Sequence, residues 1–369
     1  MTDYIMQMRP LFGEEEKRAI CSYMDEDGFL TEYKHTEEFE NKIAEFTGAK
    51  HCIVVNNGTV SLTLAAIALG ITSGDDVIVP NYTMIATPNS IKILGANPIF
   101  VDVEPQTLIL DINLVRKAIT SNTKAIMLVS ANGRAPSVDI DKFEALSEET
   151  GIPLIEDSAQ SLGSYYPDGR HIGRAGCIGS LSFSAPKIIS TGQGGALITD
   201  NTEIAKKLRK LKDFGRSSGG NDFHDMVGYN FKFTELQACI GLAQIQKLPD
   251  RLNRKKEIWK RYKNNLKGLK GINLFDHDLS LCTPWFIDSI CENRDQLKKY
   301  LHECGIGSRE MYPPINEQIA YSFPGDFPVS KKVGSSGLWL PSMIQLTDMQ
   351  IDFICESIHK FFKAPKIDL

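Results

Sequence analysis

Between His51 and Thr199, short apolar runs recur, each separated from the next by a stretch with helical patterning. The runs IVV, VIV, IFV, IML and LIE are continuous, not alternating. A strand of that kind must be buried on both faces, which points to a sheet covered by helices on each side. The spacing predicts strands at His51–Val55, Asp76–Pro80, Pro98–Asp102, Ala125–Val129, Pro153–Asp157, Ser180–Ser184 and Ala196–Thr199. Helices are predicted between them, beginning with Val60–Gly70. The fold class is therefore α/β, with a mixed, mostly parallel sheet. In such sheets ligands gather at the carboxyl ends of the strands. Asp157 and the turn at Asn57-Gly58-Thr59 both fall at such ends.

The chain has 369 residues, enough for a second core. Past Thr202 it turns helical and charged, and Asp250–Leu269 reads as the hinge into a smaller α+β domain. The division expected is 1–249 for the large domain, with its N-terminal segment, and 250–369 for the small one. Thr36–Thr47 reads as an early helix with Thr36 as its N-cap. A net charge of -5 leaves no footprint for nucleic acid. The acidic start MTDYIMQMRPLFGEEEK does not read as a signal peptide. No apolar run approaches the ~20 residues of a membrane span. The eight cysteines include no CxxC pair and read as reduced core thiols, with no metal site. These features predict a cytoplasmic protein with neither nucleic-acid nor membrane partners.

One lysine stands out. Lys187 lies between the apolar run SLSF and the turn GQGG, in GSLSFSAPKIISTGQGGA. A lysine that forms a Schiff base with pyridoxal phosphate must be desolvated and rigidly held, and this setting suits it. A solvated loop lysine is the ordinary alternative. Asp157 can pair with a pyridinium nitrogen or cap a helix; position alone does not choose between them. Gln160 can reach the same ring or complete a capping box. Gly58 and Thr59 precede a predicted helix, so their N–H groups suit a phosphate, though an ordinary strand-to-helix turn reads the same. Ser182 adds a hydroxyl nearby, or is a plain strand serine. The glycine cluster at 192–195 lacks GxGxxG spacing and leads into a strand, which counts against a dinucleotide site.

Together these pieces resemble the DegT-type nucleotide-sugar aminotransferases, a branch of the fold-type-I pyridoxal phosphate enzymes. The resemblance rests on NNGT at 56–59, DDVIVPNYT at 75–83, IEDSAQSLGS at 155–164, LSFSAPKIISTGQGGAL at 181–197, GYNFKFTELQACIGLAQ at 228–244 and MYPP at 311–314. It implies Lys187 as the Schiff-base lysine and Asp157 as the pyridinium partner, with Gln160 on the ring-hydroxyl side. It implies Gly58, Thr59 and Ser182 at the phosphate, and Met84 where many relatives stack an aromatic on the ring. It further implies a homodimer in which Lys232, with Asn230 nearby, reaches the partner's phosphate site. The chemistry implied is transfer of the amino group of glutamate to a nucleotide-linked keto sugar, in amino-sugar and O-antigen or other glycan biosynthesis. The sugar expected is a 4-keto-6-deoxyhexose of the perosamine or viosamine type. Amination of a 3-keto sugar and a catalytically silent cofactor-binding regulator stay open. Arg134, Arg216, Arg309 and Lys34 are the candidate cations for the diphosphate, and His224 and Tyr312 the candidates for the sugar pocket. Where many relatives read HLYG this chain reads SANGR at 130–134, and Asn316 stands where they carry His.

Overall fold

The computed structural model describes residues 4–26, 28–219 and 221–363. Helices α1 (Glu14–Asp25) and α2 (Lys34–Thr47) precede the first strand. The chain then runs β1 (His51–Val55), α3 (Gly58–Ala68), β2 (Asp76–Pro80), α4 (Ala86–Lys92), β3 (Asn97–Val101), α5 (Ile112–Ala118) and β4 (Thr123–Val129). Next come α6 (Asp141–Thr150), β5 (Leu154–Asp157), β6 (Ile178–Ser182), β7 (Gly195–Thr199), α7 (Thr202–Lys212) and α8 (Glu235–Gln246). The remainder holds α9 (Leu248–Asn265), β8 (Ile272–Leu274), β9 (Ile287–Cys291), α10 (Arg294–Glu303), β10 (Arg309–Glu310), α11 (Pro328–Ser336), β11 (Gly337–Leu340) and α12 (Asp348–Lys363).

Strands β1–β7 form one seven-stranded sheet in the order β1-β7-β6-β5-β4-β2-β3. Only β7 runs against its neighbours, β1 and β6; the other pairs are parallel. β1 and β6 therefore point the same way, and the carboxyl ends of β1 to β6 share one edge. Successive residues on a strand face opposite sides. Val77, Val79 and Met127 accordingly join one apolar cluster, while Ile78, Ile126 and Leu128 join another. Both faces are buried, as the continuous runs require. Each such side chain contributes roughly 1.5–3 kcal/mol by leaving water.

A second sheet, β10-β11-β9-β8, is antiparallel. Ile258 and Tyr262 of α9, Leu297 of α10 and Ile351 of α12 pack on it. Ile5 belongs to this same core and bridges to Ile306, so the segment before α1 packs with the second sheet. Among the described residues no helix is long and apolar enough to cross a membrane. All eight cysteines are free; Cys21 is exposed, so it is no core thiol.

The start of α2 differs from the sequence reading. Thr36 lies inside the helix, and Tyr33 at the N-cap provides no side-chain bond. Glu235 of α8 takes that role. It accepts from the N–H of Tyr33 at 2.6 Å, His35 at 2.9 Å and Thr36 at 2.9 Å. Burial works to raise its carboxyl, but the bonds from Thr36, Tyr33 and His35 outweigh this and hold it below the usual range. Glu235→Ala leaves these donors unpaired and should lower stability by about 2–4 kcal/mol. A carboxyl depressed in the folded state contributes above the ordinary glutamate value of about 4.3 and loses that contribution as pH falls through its folded value. Urea unfolding of both proteins checks this: the difference should hold at pH 7 and shrink below pH ~4.

Candidate active site

α3 begins at Gly58, because Asn57 caps it by accepting from the Val60 N–H at 2.9 Å. Gly58 and Thr59 are thus the first two residues of the helix, not a turn before it. Their N–H groups have no intrahelical partner and face the strand-end edge of the sheet. This first turn packs on β6, where the Ser61 hydroxyl meets that of Ser180. A Cβ on Gly58 would stand 2.9 Å from Ser182 Cβ and 3.0 Å from its Oγ. Only glycine leaves this cradle open. The Ser182 hydroxyl lies 3.3 Å from that of Ser184, so its oxygen borders the cradle.

Asp157 ends β5, one strand over, and pairs in register with Ser180. It is 6% exposed. The Thr87 hydroxyl donates to its Oδ2 at 2.8 Å, and the Ala159 N–H to its Oδ1 at 3.2 Å. Burial raises its carboxyl above the ordinary value, while these bonds and the charge of Lys187 resist. Lys187 follows β6 at the same edge, its Nζ 4.1 Å from the centroid of the Trp285 ring. Burial brings the amine down to about 8, against the attraction of Asp157. Among the described residues its Nζ has no hydrogen bond or ion pair. An unpaired amine, a buried carboxylate and a glycine cradle at a helix N-terminus fit an aldehyde that carries a phosphate and a basic ring nitrogen.

The facing wall comes from the second sheet and its approach. Trp285 stacks on Phe286 at 3.8 Å, and Trp339 meets both edge-on. Tyr312 lies 4.7 Å from Trp339 and 6.0 Å from Tyr82. Its phenol is pushed up by burial, with a further contribution from the charge of Asp157. The guanidinium of Arg309 lies 5.4 Å over Trp339 and forms no ion pair among the described residues. Trp285, Trp339, Tyr82 and Thr87 were not singled out from the sequence. The signal available was scarcity: the chain has three tryptophans, and two stand here.

The other candidates differ in what their partners leave free. Arg134 does not offer its charge to a ligand. It is 3% exposed and lies 2.8 Å from Asp288, with Nε donating to the Thr107 carbonyl at 2.9 Å. Such a buried pair holds structure together, and breaking it leaves a stranded charge. The carbonyl oxygen of Gln160 accepts from the Asn132 N–H at 2.7 Å, which leaves its amide hydrogens to donate elsewhere. Met84 is 45% exposed just before α4. Lys34 opens α2, 5.5 Å over its neighbour Tyr33. Asn230, Lys232, Arg216 and His224 form a separate cluster. Lys232 lies 2.7 Å and Arg216 3.5 Å from Asp213, Asn230 bridges to Asp213, and His224 bridges to Arg216.

The sequence profile described as the DegT/DnrJ/EryC1/StrS aminotransferase family matches residues 11–359. A GDP-perosamine synthase of Escherichia coli O157:H7 is 34% identical over 363 residues, covering 97% of this chain and 99% of its own. Among solved structures, S. venezuelae DesV aligns with a TM-score of 0.90 and 30% identity, over 96% of this chain and 95% of its own. Spr1654 from Streptococcus pneumoniae, solved in its PLP form, aligns with a TM-score of 0.91 and 26% identity, over 98% of this chain and 99% of its own.

Asp157 favours the charged amine, so Asp157→Asn should move the titration midpoint of Lys187 below about 8. Isotope-edited NMR of the apoprotein, with lysines carrying 13C-methyl labels, reads that midpoint. A midpoint that rises or stays put would contradict the coupling.

Proposed function

The chain belongs to the DegT/DnrJ/EryC1/StrS aminotransferase family, and we propose that it transfers the amino group of glutamate to a nucleotide-linked 4-keto-6-deoxyhexose, giving a 4-amino sugar. That it is a pyridoxal-phosphate-dependent sugar aminotransferase is the premise. The observation that most supports the reading is the unpaired Lys187 amine beside a buried Asp157 at the strand ends.

Pyridoxal phosphate, when bound, supplies an electron-withdrawing ring that acidifies the carbon bearing the amino group. In this reading Gly58 and Thr59 offer N–H groups, and Ser182 a hydroxyl, to its phosphate. Asp157 balances the charge of the ring nitrogen, and the free amide hydrogens of Gln160 serve the ring hydroxyl. Met84 borders the ring. Lys187 Nζ would hold the aldehyde, and its free amine would take the proton from Cα of glutamate and return one to the sugar carbon. An amine near 8 is well matched to both tasks, since a useful share is neutral at pH 7–8.

Tyr312 lines the sugar side, and Arg309 is the preferred cation for the diphosphate because it is exposed and forms no ion pair among the described residues. Arg216 is already tied to Asp213 and Asp222. The name of the Escherichia coli relative makes a GDP-linked keto sugar the first substrate to offer. The reading also takes two copies as the working unit, with Asn230 and Lys232 reaching the phosphate of the other copy. Phe223 and Val227, 77% and 81% exposed on the same loop, support a surface that is covered in use.

Release of 2-oxoglutarate from glutamate, followed by mass spectrometry of the sugar product, tests the proposal. The purified protein should aminate a GDP-linked 4-keto-6-deoxyhexose, and Lys187→Ala should lose roughly 100- to 10,000-fold in rate. Turnover of 3-keto sugars alone, or full activity without Lys187, would overturn it.

A further inference from the structure

Trp285 is 2% exposed and is fixed from several directions. Its indole N–H donates at 2.7 Å to the carbonyl of Pro186, the residue just before Lys187. Its own carbonyl accepts from Lys255 Nζ at 2.7 Å. The next residue, Phe286, is gripped on both backbone groups by the Asn132 carboxamide, at 2.6 and 2.9 Å. The ring so placed lies over the amine of Lys187 at 4.1 Å.

We propose that Trp285 is a positioning residue for Lys187: its ring caps the amine against water, and its N–H pins the peptide that leads into the lysine. The inference rests on the reading of Lys187 as the reactive amine. Two effects of the ring oppose each other. The face of an indole attracts an ammonium. The same face excludes water, which disfavours the ammonium. Exclusion is taken as the larger effect: the ring lies 4.1 Å over the amine and is part of the burial that lowers it against an attractive carboxylate. The titratable groups around the amine are few. Asp157 at the end of β5 favours the charged form. Tyr312 is held neutral by burial, with Arg309 beyond it. Lys255 lies behind the Trp285 carbonyl, itself lowered to about 7 by burial.

Labelling of the apoprotein with acetic anhydride across a pH series, read by peptide mass spectrometry, gives the midpoint for Lys187 without any cofactor. The wild-type midpoint should lie near 8. In Trp285→Ala it should rise by about one pH unit or more, so that the neutral fraction at pH 7 falls about tenfold. Trp285→Phe keeps a ring and should keep the midpoint, while the loaded enzyme loses kcat severalfold with KM unchanged, because the bond to Pro186 is gone. Trp285→Leu carries the same test should the alanine variant not fold. An unchanged or lowered midpoint in Trp285→Ala or Trp285→Leu overturns the proposal. A raised midpoint combined with an active Lys187→Ala enzyme supports the cap and removes the cofactor role of Lys187 instead.

Discussion

The carboxamide of Asn132 holds one sheet of this molecule against the other. It donates to the Phe286 carbonyl and accepts from the Phe286 N–H, as a neighbouring strand would. Both groups are buried, and a buried backbone group left unpaired is costly. Related ties continue along the same edge. Asn81 exchanges two bonds with Asn316, and Asp102 accepts from Val329 and Ser330 at the start of α11. Arg134 meets Asp288 beside a His277 that burial keeps neutral. The strand ends of the large sheet thus grip the segment that carries Trp285, Tyr312 and Trp339. Without that grip, Lys187 and Asp157 would line an open edge.

The positions of the candidates on the large sheet were legible in the sequence. Asp157, Gly58 and Ser182 each sit at a strand end or helix start, with Lys187 in the turn after β6, and those positions follow from local patterning. Pairings across the fold were not legible. Whether Arg134 binds a ligand or pairs internally depends on Asp288, distant in sequence and brought near only by the fold. In sequence, the segment SANGR stands where many relatives read HLYG, and its Arg134 reads as a cation for the diphosphate. Its Asn132 and Arg134 bind the second sheet instead, a job that a buried amide and guanidinium do through long-range partners. No window of sequence around either residue carries that information.

The fold shows the same division. Continuous apolar runs mark strands buried on both faces, so the large sheet could be read almost strand by strand. The short strands β8, β10 and β11 span too few residues to set up a period. The cap of α2 was misassigned because Glu235, on another helix, does what Thr36 does in the local pattern.

The strand order has a consequence for synthesis. β1 stands at one edge of the sheet, and its neighbour among the described residues is β7. His51–Val55 leaves the ribosome early and waits, greasy and unmatched, until Gly195–Thr199 emerges. Nascent chains in that interval carry a bare edge that invites clumping. The exposed interval is set by strand order alone, since the partner of the first strand is the last one of the sheet to be made.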